Sequence, residues 1–303
     1  MNDLFLKLKF IPISNKKNRI FIIRFFYKIF KKRVEKALKV KNYWEFFILV
    51  FLYSWLFWVI SILSGADLSY SLSLIFYYLG GIGPSLMGIL LTYRNKEKED
   101  IKDFWRRSID PRLIEVKWYI LIVLIVITPI LIGIGFDILF GGNGATYEGF
   151  INFQNNFLVF LPYLLFLIIA VLAEEFGWRG YAQDALQKRF SIIISGLIVG
   201  FFWSLWHLPL FFIKGTYQNS LGIGSFSFWL FFVYIIPESV IYAWIFNLNN
   251  RSILSAILYH LIGNFLGEMF NPIGIAPFVR FLTILIIAAT LSLIYSRKAA
   301  SEG

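Results

Sequence analysis

The sequence contains no cysteine, which excludes disulfides, thiolate metal sites and cysteine chemistry. Histidine is nearly as scarce. His207 and His260 are the only two, so any mechanism that needs imidazole must use one or both. There is no P-loop, no G-x-S-x-G elbow and no H-E-x-x-H helical zinc signature. Nucleotide hydrolysis is therefore disfavoured. The start lacks an apolar core followed by a small-residue cleavage site, so no cleavable signal peptide is expected. Charge is sparse as well: 16% of the 303 residues are charged, against about 25% in a soluble domain.

What fills the chain is apolar. Hydrophobic residues make up 58% of it, gathered into runs of the length that crosses a bilayer as helix, about twenty residues. Helix is required there because lipid cannot satisfy bare backbone groups. Eight such runs are expected, at 43–63, 72–93, 118–140, 157–178, 192–213, 226–247, 252–270 and 276–296. The fold class is thus all-α, a polytopic membrane helical bundle. Gly and Pro interrupt 271–277, between the last two runs.

The net charge of +11 resides in the first 42 residues, where 13 Lys or Arg face only Asp3 and Glu35. The remaining chain is neutral. A basic arm directly before a span fits anionic lipid headgroups better than nucleic acid. Within it, residues 19–39 alternate Ile and Phe with Arg and Lys, as in an amphipathic helix lying on a membrane surface. Two regions follow: an arm at 1–42 and a membrane domain at 43–303. Basic residues recur in 94–117, 187–191, at Arg251 and at Arg297 and Lys298, whereas 64–71 and 141–156 have none. That alternation predicts both termini in the cytoplasm of a multi-pass protein of the cell membrane, with Lys214 a minor exception. No internal repeat of the inverted-transporter kind is evident.

Ionisable groups inside apolar runs are costly and so are candidates for function. Four places carry them. Glu174-Glu175-Phe176-Gly177-Trp178-Arg179 closes the fourth run. Glu175 and Arg179, four apart, share a helix face and can pair, while Glu174 points about 100° away. An ion pair ending a span at the interface is the plain alternative. The fifth run holds Trp203-Ser204-Leu205-Trp206-His207, and a histidine among tryptophans can equally be a packed core residue. The seventh holds His260 and Asn264, again four apart, a spacing that also serves helix–helix hydrogen bonding. The sixth holds Pro237-Glu238, whose carboxyl could simply be neutral and bonded to backbone. The turn between the fourth and fifth runs is expected near 189–191, about sixteen residues from both Glu174 and His207. In an antiparallel hairpin the two would meet at similar depth.

Glu, His, His and Asn suffice for peptide hydrolysis: a carboxylate as general base toward water, an imidazole to orient that water, and His and Asn donors for an oxyanion. The same Glu174, His207 and His260 could instead hold Zn²⁺. A proton path through Glu238, Glu174 and the histidines is a further alternative.

These residues resemble the CPBP family, the CAAX-protease and bacteriocin-processing (Abi) intramembrane proteases. The family pattern E-E-x-x-x-R, aromatic-x-x-x-H and H-x-x-x-N/D is matched by Glu174-Glu175-x-x-x-Arg179, Trp203-x-x-x-His207 and His260-x-x-x-Asn264. Likeness at the level of motifs covers about 160–270. The second motif more often begins with Phe; Trp203 departs from that, at a position expected to serve packing. The resemblance implies a helical membrane protease with a polar cavity opening toward the cytoplasm. Glu174 would activate water, His207 would position it, His260 and Asn264 would stabilise the oxyanion, and Glu175 and Arg179 would support the site. It implies a prenylated, amphipathic or membrane-embedded peptide as substrate. It leaves metal dependence open, with metal-free chemistry favoured by one Glu base and two polarising His. The alternative within the same fold is a non-catalytic immunity or scaffold protein binding a peptide partner.

Overall fold

The computed structural model describes residues 42–301. Residues 1–41, including the amphipathic stretch expected at 19–39, lie outside the described residues. The helices are α1 (Asn42–Leu63), α2 (Ser71–Gly81), α3 (Gly83–Asn95), α4 (Lys98–Ile109), α5 (Val116–Leu139), α6 (Glu148–Asn155), α7 (Phe157–Gly177), α8 (Ile192–Trp206), α9 (Phe226–Leu248), α10 (Ile253–Phe270) and α11 (Ala276–Ser301). No β-strand forms among the described residues. Among the described residues seven helices are long and apolar enough to cross a membrane, or eight if the bent pair α2 and α3 counts as one span. Large apolar side chains such as Leu52, Ile120, Leu165 and Ile286 point outward, as suits a bundle whose solvent is lipid.

The second span, expected as one run, is broken: α2 and α3 meet at 41°. Pro84, which cannot donate a backbone hydrogen bond, sits at the start of α3. Trp58 on α1 donates its indole N–H to the carbonyl of Tyr77 on α2, at 3.0 Å. The break lets α3 press on α7. A Cβ on Gly177 would stand 2.2 Å from the Pro84 carbonyl oxygen, so only glycine allows this crossing. Ser85 adds a hydrogen bond to the Leu172 carbonyl at 2.7 Å.

The fourth span also differs from expectation. Instead of ending at 178, it continues through a π-helical turn, Trp178–Gln183, and a helical turn at Asp184–Leu186. The polar residues that read as a span end are instead buried: Glu175, Arg179 and Gln183 are all fully enclosed. π-turns in α-helices gather at functional sites, and this one directly follows the two glutamates. On the facing side, α8 and α9 pack through small residues, with Gly200 seated on Ile236 and Ser239.

In the connections, Asp137 near the end of α5 accepts from Gly144 N and Ile275 N, both at 2.8 Å. It thereby ties the 141–144 turn to the start of α11.

Candidate active site

Four helices bring the motif residues together. Glu174 and Glu175 lie in the last turn of α7 and Arg179 in the π-turn after it. Trp203 lies in α8 and His207 caps its end. His260 and Asn264 lie on α10, and Tyr242 on α9.

The two adjacent glutamates take different partners. Glu175 is fully buried and accepts from Arg179 Nη1 at 3.1 Å and from His260 Nδ1 at 2.9 Å, both on Oε1. The Arg179 guanidinium is held between two aromatic faces, 4.3 Å from the Trp203 ring centroid and 3.9 Å from that of Tyr242. Stacking of this kind stabilises a desolvated guanidinium. Glu174 points elsewhere and is half-buried. Its Oε2 accepts from the indole Nε1 of Trp203 at 2.5 Å. Its Oε1 has no hydrogen-bond partner among the described residues.

Trp203 therefore does more than the packing expected of it. Its N–H holds Glu174, its ring covers Arg179, and its carbonyl meets His207 Nδ1 at 2.8 Å. A phenylalanine could do the second of these but not the first. Since a carbonyl only accepts, His207 must donate from Nδ1, which leaves Nε2 of the neutral ring as an acceptor. No direct hydrogen bond joins Glu174 to His207; Trp203 links them. The His260 ring also stands edge-on to Trp203, with centroids 5.4 Å apart.

Two of the sequence candidates stand apart from this cluster. Asn264 is half-buried, one turn after His260, and makes no hydrogen bond among the described residues. Glu238 accepts from the Tyr234 hydroxyl at 3.5 Å. It lies within electrostatic reach of Arg280, His260 and Arg179, beside the site rather than in it. Arg280, Tyr242 and the Trp203 N–H are features the sequence reading missed. The cost of an ionisable group in an apolar run would have singled out Arg280.

Among the described residues no group of three or more His, Asp or Glu side chains is arranged to hold a metal ion. One nitrogen of each imidazole is already committed, His207 Nδ1 to a carbonyl and His260 Nδ1 to Glu175. These bonds leave Nε2 of both rings uncommitted, the same second-shell arrangement that orients a metal-bound histidine.

The family model described as type II CAAX prenyl endopeptidase Rce1-like matches residues 156–266, a segment that contains every motif residue named above. CAAX prenyl protease 2 of Methanococcus maripaludis is 31% identical over 265 residues, which is 85% of this chain and 95% of that protein. A multi-pass membrane protein with this likeness over most of its length is an intramembrane endopeptidase of the CAAX type, and the chain belongs to the Rce1-like type II CAAX prenyl endopeptidase family.

Proposed function

We propose that this protein hydrolyses a peptide bond in a prenylated C-a-a-X tail, using water activated by Glu174. The observation that carries the reading is the split between the two glutamates. Glu175 is consumed by Arg179 and His260, whereas Glu174 keeps one oxygen free and is half-buried. A water held between Glu174 Oε1 and His207 Nε2 meets two acceptors. Both its protons are then engaged and its lone pair is left for the carbonyl carbon.

As the water oxygen adds to that carbon, its proton passes to Glu174. The oxyanion is met by the amide of Asn264 and by Nε2–H of the protonated His260 ring, whose Nδ1–H is held by the Glu175 carboxylate. Collapse breaks the C–N bond, and Glu174 returns the proton to the leaving amine. Water is consumed, and a carboxylic acid and an amine result.

The basic loops put the Asp184 and Arg251 end of the bundle at the cytoplasm, with both termini on that side. Counted along the helices at 1.5 Å per residue, His260 lies about 10 Å and Glu174 about 15 Å from that end. A peptide tail must therefore reach into the bundle. The basic arm at 1–42 is assigned to anionic lipid at the same surface.

Cleavage of a quenched fluorescent prenylated peptide by the detergent-purified protein tests the reading. Glu174→Gln is expected to lower kcat/KM by about 10³-fold or more, the scale set by losing a general base together with its water. A chelator should leave the wild-type rate unchanged. Full activity in Glu174→Gln would overturn the assignment.

A further inference from the structure

Beyond the motif segment, the last span carries a cation that the proposed chemistry does not use. Arg280 lies in the second turn of α11. Its guanidinium stands 5.2 Å from the Tyr234 ring centroid, and its Nε is buried without a hydrogen-bond partner. Among the described residues no carboxylate lies within ion-pair distance of it; Glu238 acts on it only across a gap. A guanidinium at this depth is costly to leave uncompensated. Its planar fork matches a carboxylate.

Small residues line the helix face between the site and Arg280. On α10, His260, Gly263 and Gly267 follow one face at intervals of three and four. A Cβ placed on Gly263 would meet nothing within 4 Å. One on Gly267 would meet only Arg280 Nη1, at 3.9 Å. The two glycines thus leave the space beside this face of α10 unfilled by side chain, with the guanidinium next to Gly267.

The length of this face can be compared with a peptide. From His260 to Gly267 is seven residues, or about 10 Å at 1.5 Å per residue of helix. A C-a-a-X tail has three residues beyond its prenylated cysteine. Three extended residues span about 10 Å. A scissile carbonyl at His260 and Asn264, directly after the cysteine, puts the terminal carboxylate beside Arg280. The direction agrees as well: α10 runs from the basic end at Arg251 inward, so the tail points deeper while the body of the substrate stays at the basic face.

We propose that Arg280 binds the free C-terminal carboxylate of the peptide substrate, so that the enzyme measures the distance from the scissile bond to the chain end. This rests on the endopeptidase reading above.

The test uses two prenylated peptides that differ only in ending as a carboxylate or as an amide, with wild type, Arg280→Gln and Arg280→Lys. Wild type is expected to favour the carboxylate peptide by about tenfold or more in kcat/KM, as befits a charge-assisted hydrogen bond. Arg280→Gln should lose that preference by slowing the carboxylate peptide alone, mainly through KM, and Arg280→Lys should restore part of it. The ratio of the two peptides is internal to each preparation, so partial misfolding does not alter it. Equal slowing of both peptides would show that Arg280 only balances Glu238, and would overturn the proposal. So would a wild type that does not distinguish the peptides, while the endopeptidase reading stands. Cleavage of neither peptide by wild type removes both.

Discussion

Two clusters of charge sit on the same helix about ten residues apart, and they are built in opposite ways. At the basic end, Asp184 serves three cations, two from the 94–117 connection and one from the link before α10. Lys96 Nζ approaches at 3.3 Å, Arg107 Nη1 at 3.4 Å, and Arg251 pairs with it as well. Arg107 is further held by Asp103 at 2.8 Å and by the Arg251 carbonyl at 3.2 Å. Nearly all hydrogen-bonding capacity is used, and loops are locked to the helix. At the site, Glu175, Arg179 and His260 are as deeply buried, yet capacity is left over. Glu175 Oε2, Arg179 Nε and Arg179 Nη2 have no partners among the described residues, and Glu174 keeps a free oxygen. Buried polar groups are normally satisfied. Where they are not, the unused valence is available to water and substrate. The first cluster fastens the fold; the second leaves unused the valence on which the proposed chemistry draws.

Breaking each cluster in the same way separates these roles. Glu175→Gln removes the carboxylate that balances Arg179 and holds the His260 ring. Loss of one partner of a buried pair costs about 3–5 kcal/mol, and activity should fall by about 10²-fold or more as the oxyanion donor loses its support. Thermal unfolding in detergent and peptide cleavage, measured together, check both effects; retained activity would detach His260 from catalysis. Asp184→Asn leaves three cations facing one another. It should destabilise by a similar amount, about 3 kcal/mol or more, while kcat per folded molecule stays unchanged. A changed kcat would mean that the basic end is coupled to the chemistry.

Trp203→Phe sharpens the comparison within the site. The ring that covers Arg179 is largely kept, but the indole N–H to Glu174 is lost. A hydrogen bond to a charged group contributes about 1.5–3 kcal/mol, so cleavage is expected to slow by about 10- to 100-fold with little change in unfolding temperature. An unchanged rate would return Trp203 to the packing role.

Much of this was legible in the sequence, for physical reasons that also explain the gaps. Eight spans follow from run length, because lipid leaves the backbone no alternative. The break at Gly80-Gly81-Ile82-Gly83-Pro84 is written in turn residues, but a hydropathy window averages across them. The fourth run was expected to end at 178, with Glu175 and Arg179 as an interfacial ion pair the plain alternative. Only tertiary pairing makes them interior. Spacing gave the Glu175–Arg179 face and the divergence of Glu174. It could not show that His260 completes the pair, since that depends on how α10 crosses α7. The Trp203 N–H was invisible for the same reason: a motif position records an aromatic ring, and its partner sits on another helix. Arg280 was readable in principle, since it lies inside the eighth run, just after the Gly- and Pro-interrupted stretch, where an ionisable group is costly.

The weakest link of the basic cluster is Lys96, and it gives the smallest of the expected effects. Burial pushes its ammonium down to about 8, and repulsion from Lys188, Arg107 and Arg251 adds to this. Asp100 opposes the shift, and Asp184, 3.3 Å away, is shared with two guanidiniums. In the unfolded chain the lysine returns to its ordinary value of 10.5. Between pH 8 and 10.5 the unfolded state therefore holds more protons than the folded state, and stability contributed by this group rises with pH. Below pH 8 the cost of a charged, buried Lys96 is present in full; above 10.5 it is gone. Lys96→Met removes the titration. The unfolding temperature of wild type should gain on that of the variant by about 2–4 °C as the pH is raised across this window. A constant gap would show that Lys96 keeps its proton in the folded protein, held by Asp184 as firmly as the two arginines are.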